Sequence, residues 1–432
     1  MVDMAPAAGN GTATTGRYVV VLSDEVHGDA AAMAQTLRSV GAVTSIASTR
    51  DFAASALDVG QARDADATVF AELGIAVVTA EPAQAMRAAA ATDPRIVAVE
   101  PERILYAITD TALPAEYLLG YRDAAAHLYE QALAGGPRDA QIDPTAVFAD
   151  TSASTWGLVA TKALGSPRTG QGISVAVLDT GFDLAHPDFA DREITAQSFI
   201  PGEEVQDGHG HGTHCVGTSC GPAGPGEGRR YGVASGAHIH VGKVLSNAGS
   251  GTDTTILAGM SWAIANGCRV ISMSLGADIR TVSAAYETVG RRALDAGTLI
   301  VAAAGNNASR RFGNPGFVGM PANSPSIMAV AAVDSRLAIA PFSARGGVGD
   351  GGKVDIAGPG VGVYSAWPMA QRYNTISGTS MATPHVAGIA ALWSEATGAT
   401  GARLWTALAQ AARRLRIPLE DAGAGLAQAP HE

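Results

Sequence analysis

The segment from Gly378 to Gly388, Gly-Thr-Ser-Met-Ala-Thr-Pro-His-Val-Ala-Gly, sets Ser380 in a tight turn that leads straight into an apolar run. Gly378 permits the turn, Pro384 suits a first helical turn, and Val386, Ala387, Ile389, Ala390 and Leu392 read as a buried helix. A hydroxyl at a helix start lies where backbone amides favour negative charge, so an oxyanion could form beside it. An isolated Gly-x-Ser is more often a capped turn. A serine has no intrinsic acidity; to act as a nucleophile it needs a base, and the base needs an acceptor. Two further clusters supply these types. Asp207 to Gly217 holds His209, His211 and His214, whose spacings of two and three do not match the i, i+4 pair of a helical zinc site, so a catalytic imidazole is the better reading. Val175 to Gly181 is an apolar run of the buried parallel-strand kind that ends in Asp179 and a glycine turn.

With Asp, His and Ser in that order, the chain resembles the subtilisin family of serine peptidases. The resemblance rests on Val177-Leu-Asp-Thr-Gly181, Gly210-His-Gly-Thr-His214, Ser272-Met-Ser-Leu-Gly276, Ala302-Ala-Ala-Gly-Asn306 and Gly378-Thr-Ser-Met-Ala-Thr-Pro384, and covers about residues 152–428. It implies that Ser380 attacks a peptide carbonyl, His211 takes and returns the proton, Asp179 orients the imidazole, and Asn306 donates to the oxyanion. Taken alone, Asn306 would read as a turn residue. A peptide substrate would add as a strand between Ser274-Leu275-Gly276 and Gly249-Ser250-Gly251. The specificity pocket would be walled by Gly276, Ala303, Ala304 and Gly305, with Gly319 at its base and Asn307 at its rim. These residues are small and none is acidic, which favours a large apolar residue before the cleaved bond over Lys or Arg.

Cys215, directly after the histidine motif, is similar to the proteinase K-like branch, in which a thiol lies beneath the site; it reads as a buried small residue rather than a nucleophile. Three cysteines give no disulfide framework. The chemistry requires no cofactor. Pro325, Ile327 and Asp355 match a calcium site of the same branch through two carbonyls and one carboxylate, a weak anchor for a hard cation. Gly221 to Arg230 lacks the asparagine-rich pattern of a second, tighter calcium site of the family.

The elements that must position these residues follow from period and composition. Apolar runs at 175–178, 240–245, 270–275 and 299–304 alternate with helical stretches at 254–266 and 283–296, the pattern of an α/β fold with a parallel sheet covered by helices on both faces. The N-terminal third reads βαββαβ: a strand at 17–22, a helix at 30–39, a hairpin from 67–71 and 75–79, a helix at 82–91 and a strand at 96–99. That is a small α+β, ferredoxin-like unit, and by order and position it resembles the inhibitory propeptide domain of subtilisins, with residues 43–66 as an insertion. The expected organisation is a disordered tail over 1–16, a propeptide-like domain over 17–108, a linker or insert with a helix at 115–134 over 109–151, and the peptidase domain over 152–432.

Residues 152–432 carry 20 basic and 20 acidic side chains, so the net charge of −11 lies in residues 1–151. No basic stripe suits nucleic acid, and no apolar run approaches the length of a membrane span. Residues 1–16 hold no basic stretch followed by an apolar one, so no secretory signal is expected there; the family habit is export. Expected partners are protein or peptide substrates, with the chain's own propeptide as intramolecular inhibitor and self-processing near Ile108. The alternatives are a dedicated intracellular processing peptidase, and an inhibitor or peptide-binding module whose N-terminal domain stays docked.

Overall fold

The computed structural model describes residues 13–40, 43–108, 147–347 and 352–431. The N-terminal unit contains β1 (Thr14–Leu22), β2 (Ile46–Ser48), β3 (Ala67–Phe70), β4 (Ile75–Val78) and β5 (Ile96–Ala107), with helices Ala30–Val40 and Ala80–Ala89. Its strands run β5-β1-β4-β3, antiparallel at every step, and β2 adds parallel to β3. β1 starts at Thr14, inside the segment expected to be a tail, because Thr14 pairs with Arg103. Residues 43–66 are not a plain loop: they supply β2, two short 3-10 turns and the helical turn Val59–Ala62. The expected helix at 115–134 lies outside the described residues.

β1 is apolar on consecutive residues because both of its faces are covered. Val20 and Leu22 join a core with Met33, Leu37 and Met86 of the unit's own helices, while Val19 and Val21 join the core of the larger body. This is the burial that makes a strand read as an unbroken apolar run.

The larger body is built on β6 (Ser174–Asp179), β7 (Ile194–Ser198), β8 (His238–Lys243), β9 (Ser250–Thr252), β10 (Val270–Met273), β11 (Leu275–Gly276), β12 (Leu299–Ala303), β13 (Met328–Val333) and β14 (Ile356–Pro359). Seven of these form one sheet in the order β14-β13-β12-β10-β6-β8-β7, parallel throughout. Helices Asp253–Ala265 and Ala284–Asp295 cover one face; helices His211–Cys220 and Thr379–Thr397 cover the other. Helix Asp253–Ala265 is buried almost all round because it lies between this sheet and the N-terminal unit. β9 and β11 stand outside the sheet and flank β5. No helix among the described residues is long and apolar enough to cross a membrane.

Candidate active site

A parallel sheet gathers its ligands at the carboxyl ends of the strands, and the chemistry-bearing residues lie there. Asp179 ends β6, His211 opens helix His211–Cys220, Asn306 follows β12, and Ser380 is the second residue of helix Thr379–Thr397. Asp179, His211 and Ser380 are all buried. Asp179 Oδ1 accepts the His211 Nδ1–H at 2.7 Å and the Thr180 N–H at 2.8 Å. Burial works against a charge on His211, but the adjacent carboxylate outweighs it and holds the imidazole well above its usual pKa. The other two histidines of the motif differ: His214 is pushed down to about 3 by burial, and His209 is lowered for the same reason.

His211 is held from beneath by Asp207. This buried carboxylate accepts the Gly210 and Thr213 N–H groups at 2.8 Å, the Thr213 hydroxyl at 2.8 Å and the Thr180 hydroxyl at 3.0 Å. Thr180 Oγ1 in turn accepts the Gly212 N–H at 2.8 Å. The first turn of the His211 helix is thereby tied to the turn after β6. Asp207 was legible only as part of the histidine motif; nothing in a one-dimensional pattern shows that its carboxylate is the hub.

Pro384 is inside the helix Thr379–Thr397 rather than in its first turn, which corrects the expectation from sequence. Having no N–H, it cannot bond the carbonyl of Ser380 four residues earlier. That carbonyl instead accepts the Ser274 hydroxyl at 2.7 Å and the Cys215 thiol at 3.6 Å. The missing helical bond becomes the joint between the serine's backbone, β11's approach and the floor under His211. Cys215 is fully buried and burial pushes its thiol up, the state of an inert packing residue.

Asn306 Oδ1 accepts the Thr379 N–H at 3.0 Å and the Thr379 hydroxyl at 2.9 Å, which fixes the amide and turns its N–H₂ away from them. Asn306 Nδ2, His211 Nε2 and Asp179 Oδ2 are buried polar atoms without a hydrogen-bond partner. Such orphans are costly unless something is meant to meet them.

The carboxyl end of β5 occupies the cleft. Ile104, Leu105 and Tyr106 pair antiparallel with Thr252, Gly251 and Ser250 on one side, while Tyr106 and Ala107 pair with Gly276 and Leu275 on the other. The Ala107 N–H bonds Gly249 O at 2.9 Å and the Ile108 N–H bonds Ser274 O at 3.1 Å. Ser380 Oγ then meets the carbonyl oxygen of Ile108. A Cβ placed on Gly378 would lie 3.1 Å from Asn306 Nδ2 and 3.3 Å from that same carbonyl oxygen, so a side chain there crowds both groups by a few tenths of an ångström.

The pocket residues divide. A Cβ on Gly276 would come within 3.0 Å of Ile108 Cδ1, so Gly276 directly faces that side chain. Ala303 and Ala304 are buried, and Gly305 neighbours Asn307. A Cβ on Gly319 would meet Ala277 O at 2.5 Å, so a side chain there displaces backbone before it fills any slot. Sequence reasoning missed Asp278, whose Oδ1 accepts the Asn307 amide at 2.8 Å at the rim.

Asp355 Oδ2 accepts the Ala329 N–H at 2.9 Å, its Oδ1 faces Lys353 Nζ at 3.4 Å, and burial raises it to about 6. A lone carboxylate so engaged is a poor seat for calcium, which takes roughly six to eight oxygens. Among the described residues, the one group of three metal-type side chains is Asp179, His211 and Cys215; its imidazole Nδ1 is committed to the carboxylate.

The chain has relatives among known proteins. The chain is 43% identical over 232 residues to Subtilisin E of Bacillus subtilis, a match covering 52% of this chain and 56% of that protein. It is 43% identical over 232 residues to Subtilisin of Bacillus pumilus, covering 77% of it, and 41% identical over 247 residues to Subtilisin Savinase of Lederbergia lenta, covering 82% of it. The match thus spans little more than half the length of Subtilisin E. The sequence model of the Subtilase family matches residues 170–426, more than half of the chain. An aspartate, a histidine and a serine brought to the carboxyl edge of one parallel sheet, on a chain matched over that length, make this protein a member of the Subtilase family.

Proposed function

We propose that the chain is a serine endopeptidase made as a self-inhibited precursor. The observation that carries the reading is the seating of Ile108: a peptide carbonyl lies against Ser380, between two flanking strands, beside the orphaned amide of Asn306. In this reading, Ser380 Oγ attacks the carbonyl carbon as its proton passes to His211 Nε2. Asp179 keeps Nδ1 protonated and stabilises the imidazolium. The oxyanion takes the Asn306 Nδ2–H, a donor already locked by Thr379 and needing no reorganisation. His211 then gives the proton to the leaving amine, and water, activated the same way, releases the acyl group. No step passes through a metal.

The N-terminal unit acts as the inhibitor, its β5 filling the cleft as a product-like strand. Apolar Ile108 facing Gly276 supports a preference for apolar residues before the cleaved bond. A fluorophosphonate probe tests the nucleophile: labelling of the processed wild type and none of Ser380→Ala is expected, and equal labelling of both would reject the reading. Profiling on a peptide library tests the pocket, where a preference for Lys or Arg would point to Asp278 instead of the apolar slot.

A further inference from the structure

Lys243, the last residue of β8, is fully buried. A buried ammonium is costly unless every proton finds an acceptor, and the three acceptors of this one are informative. Nζ donates to Thr180 O at 2.5 Å and to Asn247 Oδ1 at 2.9 Å, and pairs with Glu203 Oε2 at 3.2 Å. Thr180 is the residue whose N–H bonds Asp179 Oδ1 and whose hydroxyl reaches Asp207 and Gly212. Asn247 Oδ1 also accepts the Gly208 N–H at 2.8 Å, in the loop that leads into His211. Asn247 is itself fixed by its N–H on Glu203 Oε2 at 2.9 Å. One ammonium therefore ties together the turn that carries the aspartate and the loop that carries the histidine.

We propose that Lys243 is a positioning residue of the peptidase: its ammonium sets Asp179 against His211 by holding the Thr180 carbonyl and, through Asn247, the Gly208 loop. The proposal rests on the triad reading above. Its expected cost is geometric, since a misplacement of about 1 Å in a catalytic constellation can lower turnover by roughly 100-fold. It has an electrostatic consequence as well. Asp179, Asp207, His209, His214 and Cys215 are titratable groups around His211, and Glu203 is the carboxylate paired with Lys243. Replacing the lysine with an uncharged side chain leaves Glu203 unpaired, so the local field becomes more negative and the imidazolium is favoured. The acid limb of the pH profile then moves to higher pH.

The test uses the full chain allowed to process itself, with active sites counted by fluorophosphonate titration and turnover measured on a peptide p-nitroanilide. Lys243→Met is expected to lower kcat per titrated site by roughly 10- to 100-fold, leave KM within about twofold, and raise the acid limb. Asn247 is exposed, so its variants remove no core volume and keep the proposal testable if Lys243→Met does not fold. Asn247→Ala should lower kcat per site, and Asn247→Asp, which keeps the acceptor for both Gly208 and Lys243, should restore it. Unchanged turnover per site in Lys243→Met and Asn247→Ala, or a loss seen only as fewer titratable sites, overturns the proposal. The triad reading fails separately, through activity in Ser380→Ala.

Discussion

At the scale of single residues, the proposed chemistry falls on Ser380, His211 and Asp179, with Asn306 as donor to the oxyanion. Ser380→Ala and Asp179→Asn change little buried volume and should fold, His211→Ala empties the place of one buried imidazole, and each should lose most of its activity. Roughly 10⁴- to 10⁶-fold in kcat is the magnitude carried over from the subtilisin family itself, and the effects should not add because the three act as a unit. Steady-state kinetics on the double variant Ser380→Ala/His211→Ala checks this; a double much slower than either single breaks the assignment. Asn306→Ala should cost about 100- to 1000-fold in kcat, again the family's own figure, with KM little changed. The pH dependence follows from His211. Its carboxylate neighbour raises its pKa, and the base works only when neutral, so activity is present above that raised value and falls as pH drops through it. The acid limb of kcat/KM should therefore lie above about 6.5, the ordinary imidazole value, and a limb well below it would contradict the Asp179–His211 pairing.

At the scale of elements, the N-terminal unit is held by helix starts. Glu100 accepts the Ser283 hydroxyl at 2.6 Å and the Ala284 N–H at 2.8 Å, capping helix Ala284–Asp295. Glu102 accepts the Thr254 N–H at 3.0 Å and the Thr254 hydroxyl at the start of helix Asp253–Ala265. Orphan amides and a favourable dipole make helix N-termini seats for carboxylates. Beside Glu102, the docked Asp253 is pushed up to about 7, chiefly by burial, with the Glu102 charge adding to it. The docked form thus holds a proton that a separated, solvated Asp253 gives up. That stabilisation is complete below the ordinary aspartate value of about 4 and is lost as pH rises through about 7. Asp24, held at about 2 by its bonds to Arg292 and Arg291, acts in the opposite sense only below that window, and its exposure makes it weak. After cleavage, the N-terminal unit should dissociate more readily at pH 8 than at pH 5, by at most tenfold per pH unit, the limit for one proton. Asp253→Asn should flatten the dependence. Inhibition of the cleaved complex measured across pH after dilution checks this, and a pH-independent affinity in wild type removes Asp253 from the account.

The same scale shows what the string of letters could and could not convey. β6, β10 and β12 were legible because a strand buried on both faces is apolar at every position, as Val175 to Leu178 is. The Ser380 turn was legible in its parts, but Pro384 was misplaced by a turn, since a proline inside a helix is tolerable only where the freed carbonyl finds another partner. Here Ser274 and Cys215 are that partner, and both come from elsewhere in the chain. β2 was missed because three residues pairing parallel to β3 leave no periodic signal. Asp207 and Lys243 look like surface charges until the fold buries them and points their donors and acceptors at one another.

At the scale of the whole molecule, one face of the N-terminal sheet is the floor of the body's own core. Val19, Val21, Phe70, Ile75 and Val77 pack in one cluster with Met260, Trp262 and Val289. Arg292, buried in its own helix, reaches across to the carbonyls of Leu73 and Leu22 at 2.5 and 2.8 Å. On the precursor reading proposed above, β5 tethered in this way meets the cleft at a very high effective concentration, and a free peptide competes poorly until the tether is cut and the unit leaves. The carbonyl presented to Ser380 is that of Ile108, so the expected first cut falls directly after it. Intact-mass analysis after expression and incubation should find wild type divided at that bond and Ser380→Ala undivided, with activity appearing only after the cut. Arg292→Ala should shorten the delay between cleavage and activity, because it strips the Leu73 and Leu22 carbonyls of their Arg292 donor and leaves Asp24 with Arg291 alone, while the triad is untouched. Wild type that stays full length and is fully active would reject the precursor reading. Trimming of Ser380→Ala at the same bond would assign the cut to another protease. An unchanged delay in Arg292→Ala would shift the hold on the N-terminal unit to the apolar contact alone.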